Sequence, residues 1–138
     1  MATLRGALAE RTDPDAWPLA VGDLVVLVAV FSAGTVHHNG VDYLTADPVG
    51  AALTVLPFLI GWAVVAPPVG AYSPGAAESA KAAVPLALRA WIPAALLGLG
   101  LRASPLFDGG AAPALVVVSL VAGAVGLGVW RWLAFRMR

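Results

Sequence analysis

Apolar residues run almost unbroken through four stretches of the chain, residues 17–36, 49–69, 82–101 and 112–130, while polar residues gather in the gaps between them. Each stretch is about as long as a helix must be to cross a ~30 Å hydrocarbon layer. The pattern predicts an all-α polytopic membrane protein: a four-transmembrane-helix bundle with short loops over residues 17–138, preceded by a polar segment, residues 1–16. Turn signals mark the gaps: Asn39-Gly40 and Asp47-Pro48 in the first, Ser73-Pro74-Gly75 in the second, Ser104-Pro105 and Asp108-Gly109-Gly110 in the third. Gaps this short make consecutive helices antiparallel neighbours.

Composition agrees. Of 138 residues, 60% are hydrophobic and 12% charged, against about 25% charged in a water-soluble domain. Zero net charge leaves no basic surface for nucleic acid. Absence of cysteine removes disulfides, thiolate metal sites and a cysteine nucleophile. Residues 1–16 carry Glu10, Asp13 and Asp15, unlike the basic start of a cleavable signal peptide.

Lys and Arg in short loops set orientation. Arg5, Arg11, Lys81, Arg131, Arg136 and Arg138 fall on one side and Arg102 alone on the other. The expectation is a multi-pass protein of the cell membrane with both termini cytoplasmic. Trp17, Tyr72, Trp130 and Trp132 then belong to the inner aromatic belt and Tyr43 to the outer one.

Only Asp23 and Arg89 carry formal charge inside the four stretches. At ~1.5 Å rise per residue both lie ~10 Å inside the cytoplasmic boundary, on helices running the same way. The expectation is an intramembrane pair, since an unpaired charge there costs roughly 2.5–3.5 kcal/mol on insertion scales. The plainer alternative is that each is neutralised structurally or snorkels to the interface. A dry contact favours a structural role; a cavity reaching the pair from the cytoplasm favours transport.

Gly34, expected as a close-packing position, and His37 fall near Asp23 on the first helical face, and His37, His38 and Arg102 form a polar group at the outer mouth. Adjacent histidines on a helix do not share a face, and no metal site, cofactor or catalytic residue is expected from them. Gly50, Thr54, Pro57 and Gly61 form a small-residue face on the second helix, and Gly123 and Gly126 one on the fourth, suited to close helix packing in lipid. No His-x-x-x-His, paired-acid or Ser–base arrangement points to an enzyme.

Several landmarks together resemble DUF3054, a family of small bacterial and archaeal membrane proteins of unknown function. They are Gly22-Asp23, Phe31, Gly34 and His38, then Pro57-Phe58-Leu59-Ile60-Gly61-Trp62, Arg102, and Trp130-Arg131. The resemblance covers nearly the whole chain, with the Pro-Phe-Leu-x-Gly-Trp stretch its most distinctive part. Family members often carry a basic stretch before the histidine, where this chain has Thr35-Val36-His37. The resemblance implies a four-helix membrane protein and supplies no activity, substrate or catalytic residue.

Two functions follow as expectations. One is a small transporter or permeation protein using Asp23 and Arg89. The other is an accessory or assembly subunit, homo-oligomeric or bound to a partner membrane protein through its small-residue faces. In either case the lipid bilayer is the surrounding partner.

Overall fold

The computed structural model describes residue 6 and residues 11–107 and 109–137. Arg5, Glu10, Asp108 and Arg138, which entered the turn and charge arguments, lie outside the described residues. Four helices are long and apolar enough to cross a membrane: α1 (Trp17–Asn39), α2 (Pro48–Val69), α3 (Ala80–Ala103) and α4 (Pro113–Arg136). Short helical turns at Pro14–Ala16, Tyr43–Ala46 and Pro74–Glu78 complete the described elements, with no strand among them. This is the architecture of a multi-pass membrane protein.

Local chemistry sets the helix ends. Proline starts α2 and α4, where the first N–H groups have no intrahelical acceptor in any case. The Asp47 carboxylate accepts the Gly50 N–H at 3.0 Å and the Ser79 hydroxyl accepts the Ala82 N–H at 3.4 Å, capping α2 and α3. Gly70 ends α2 in the left-handed region, φ 98°, where a β-carbon is disfavoured.

The helices close a ring in which α1 touches α2, α2 touches α3, α3 touches α4 and α4 touches α1. Thus α1 and α3 stand on a diagonal. The outward faces of α1 and α4 are apolar, with Val21, Val25, Val117, Val121 and Val125 more than half exposed. Burial is reversed in character, because Asp23 and Arg131 are fully enclosed. A water-soluble bundle does the opposite, and lipid is the solvent that suits this one.

The small-residue faces divide by role. A β-carbon at Gly61 would collide with the Ala94 carbonyl, and one at Gly98 would press on Phe58, so glycine at these two positions lets α2 and α3 approach. Gly123 lies beneath the Trp91 indole, and Gly126 beside Val26 and Val30. Pro57 is buried in the same region as Gly61. The expected single face on α2 is corrected in part. Gly50 meets Tyr43 and Asp47 of its own preceding turn, and Thr54 is half-buried in a cavity wall. Gly34 meets nothing within 4 Å and is not a close-packing position.

Candidate functional site

The start of α1, the α2–α3 connection and the end of α4 meet at one end of the bundle, here called proximal. The Asp13 N–H donates to the Tyr72 carbonyl at 2.7 Å, and Trp130 Nε1 donates to the Leu19 carbonyl at 3.4 Å. Inside this end sits Asp23. Its partner is Arg131: Nη2 reaches Oδ2 at 2.7 Å and Nε reaches Oδ1 at 3.2 Å, a two-pronged contact with both side chains wholly shielded. Two-pronged guanidinium–carboxylate contacts fix orientation as well as charge.

This corrects the pairing expected with Arg89. Arg89 is exposed. The inward face of α3 is built from Ala83, Ala87, Ala90, Trp91, Ala94 and Gly98, which turns Arg89 outward. Its long stem suits snorkelling. The diagonal placement of α1 and α3 also separates the two helices that carry Asp23 and Arg89.

The remaining hydrogen-bonding capacity of the pair is largely used. Arg131 Nη1 donates to the Ala83 carbonyl in the first turn of α3 at 3.0 Å. The Tyr72 hydroxyl donates to Asp23 Oδ2 at 2.8 Å and accepts from Trp62 Nε1 at 2.7 Å. Burial, and then the neighbouring Asp23 carboxylate, push the Tyr72 phenol well above its ordinary value, which keeps it a donor. The Arg131 guanidinium also lies 5.4 Å from the Tyr72 ring centre. Asp23, Trp62, Tyr72, Ala83 and Arg131 therefore tie all four helices and the α2–α3 connection into one dry knot. A buried ion pair of this kind survives only when such extra bonds are present.

From the knot an aromatic column runs up the bundle. Trp62 stands edge-on to Tyr72 at 6.3 Å, Trp91 lies 6.3 Å from Trp62, and Phe31 lies 6.0 Å from Trp91. Phe31 and Phe58 stack at 4.0 Å. Trp91 Nε1 donates to the Ser119 and Leu120 carbonyls, both at 3.2 Å, over the gap that Gly123 leaves.

Beyond Phe31 and Phe58, in the distal half, lies a partly open cavity of about 190 Å³ lined by all four helices. Its walls include Gly34, Thr35, His38, Thr54, Arg102 and Ser119. The Thr35 and Thr54 hydroxyls donate to the Phe31 and Gly50 carbonyls of their own helices at 2.9 and 3.0 Å. Ser119 Oγ and Arg102 Nε are buried without a hydrogen-bond partner among the described residues. Each such orphan costs on the order of 1–3 kcal/mol, more where the group is charged. His37 is exposed outside the cavity walls, its ring 5.4 Å from that of His38.

Three participants escaped the sequence reading. Arg131 follows the last apolar residue and was counted with the loop charges. Tyr72 reads as a residue of the interfacial belt, and Ser119 as one small residue within an apolar stretch. The available signal is Trp130-Arg131-Trp132 followed by Leu133-Ala134-Phe135: a cation between tryptophans, with the apolar run continuing past it.

No curated protein and no solved structure matches the chain. Over residues 20–134 it matches the family described as "Protein of unknown function (DUF3054)". That span takes in the whole arrangement from Asp23 to Arg131, and the chain belongs to the DUF3054 family.

Proposed function

We propose that the protein is a small transporter or permeation protein of the cell membrane, with both termini cytoplasmic, holding its solute in the distal cavity. The observation that carries this reading is the opposition of two ends on one column. A cavity with Arg102 and Ser119 in an otherwise largely apolar wall stands at one end and a fully enclosed charge knot at the other, with stacked aromatics between. Asp23 and Arg131 make a dry contact, so their role is to hold the proximal end shut rather than to bind solute. Parting them without replacement partners would cost several kcal/mol, so the proximal end opens only where other groups take over their bonds. Cytoplasmic termini are supported by the bias of Lys and Arg toward the proximal end.

The accessory-subunit reading relied on small-residue faces. Gly61, Gly123 and Gly126 are taken up by contacts within the bundle, which leaves lipid-compatible apolar surface as its remaining basis.

Proteoliposomes test the proposal. Purified protein should give saturable uptake of a labelled solute from a panel of small neutral, cationic and anionic compounds, above protein-free vesicles. Gly34→Leu, projecting into the cavity, should abolish it. Uptake of every panel member at the protein-free rate would remove the transport reading.

A further inference from the structure

We infer that the distal cavity binds a small carboxylate carrying a compact apolar body; this deepens the transport reading and rests on it for the movement of that ligand across the membrane. The orphaned donors point to the head group. Ser119 lies in the cavity wall, completely buried, with its Oγ unpartnered. Arg102 brings a second unpartnered buried donor, Nε–H, and a permanent positive charge to the same cavity. The Thr35 and Thr54 protons are already committed to backbone carbonyls. None of the described residues lining the cavity is Asp or Glu. A cation would face Arg102 without a compensating acid. A carboxylate would satisfy the guanidinium and the serine hydroxyl together.

Arg102 is held in place rather than loosely displayed. Its carbonyl accepts the Gly109 and Gly110 N–H groups at 2.7 and 3.2 Å, which folds the α3–α4 connection back over it. A β-carbon on Gly109 would lie 2.8 Å from Arg102 Cγ and 3.1 Å from Cζ, so the loop backbone roofs the side chain. Phe31, Phe58 and Leu115 add apolar lining to the same cavity. At ~30 Å³ per water, the volume is that of several waters or one aromatic ring with its substituent.

Calorimetry on the full chain in detergent tests this with benzoate, benzamide and benzylamine as probes of one shape and three charges. Benzoate should bind one to one, with benzamide and benzylamine at least roughly tenfold weaker. Arg102→Gln should weaken benzoate on the order of 10- to 100-fold, the range for a hydrogen bond to a charged group. Ser119→Ala should weaken it several-fold. Gly34→Leu keeps both donors and meets no packed atom at its β-carbon. It should block binding by filling space, with an unchanged melting temperature, and so carries the test even if Arg102→Gln fails to fold. Equal binding of the three probes, or unchanged benzoate affinity in Ser119→Ala and Gly34→Leu, would overturn the inference. Benzoate binding without vesicle uptake would uphold this site while removing the transport reading. Uptake of another solute with no benzoate binding would overturn this inference and leave transport standing.

Discussion

Arg131 Nη2 lies 2.7 Å from Asp23 Oδ2, joining the last turns of α4 to the proximal half of α1 with neither side chain open to solvent or lipid. Breaking one side of a buried pair leaves an uncompensated charge, at a cost of about 3–5 kcal/mol. Asp23→Asn and Arg131→Gln should each lower thermal stability in detergent to that extent. The double variant should lose less than the sum. Strict additivity would contradict the pairing.

Arg89 provides the contrast. Exposed and outside the knot, it should tolerate Arg89→Gln within about 0.5 kcal/mol. A loss as large as that of Arg131→Gln would show that α3 presents a different face to the core.

Tyr72 links the knot to the aromatic column. Tyr72→Phe removes the hydroxyl shared by Asp23 and Trp62, leaving a buried indole N–H and a carboxylate oxygen each one bond short. The expected loss is about 1–3 kcal/mol. In a cycle with Trp62→Phe the two changes should couple, since they remove the same bond. Independent effects would mean that the hydroxyl does not bridge them.

The four spans were legible because membrane-crossing helices need only length and apolarity, and those survive in the sequence without any contact map. The partner of Asp23 was not legible, for two physical reasons. Hydropathy ends the fourth span at Trp130, yet α4 continues to Arg136 and carries Arg131 inside the bundle. Depth alone then favoured Arg89, but direction around the helix decides contact, and α3 spends its inner face on alanines and Trp91. Gly61, Gly123 and Gly126 were readable as close-approach positions. Gly34 was not, since a small residue beside empty space has the same sequence signature as one beneath a ring.

Gly61 makes a sharper packing test. Gly61→Ala forces its new β-carbon against the Ala94 backbone carbonyl, which cannot turn aside as a side chain can. Overpacking of this kind costs typically about 1–3 kcal/mol. Gly34→Ala, with open space beside it, should be close to neutral. Equal melting temperatures for the two would contradict the α2–α3 contact.

Orientation is checked by a reporter fused after Arg138. A signal confined to its cytoplasmic form is expected from the Lys and Arg bias. Activity of an external-only reporter would invert the assignment of the two ends.

The most direct test of the account is two-sided thiol accessibility, made simple by a chain without cysteine. Ala122→Cys places a thiol in the cavity wall, and Ala83→Cys places one at the residue whose carbonyl Arg131 holds. In sealed vesicles an impermeant maleimide should reach position 122 from the distal face only, while position 83 stays unreactive. Adding Asp23→Asn should open position 83 to reagent from the proximal face and slow the reaction at 122. Position 83 unreactive in both backgrounds, with 122 unchanged, would contradict a proximal closure held by Asp23 and Arg131.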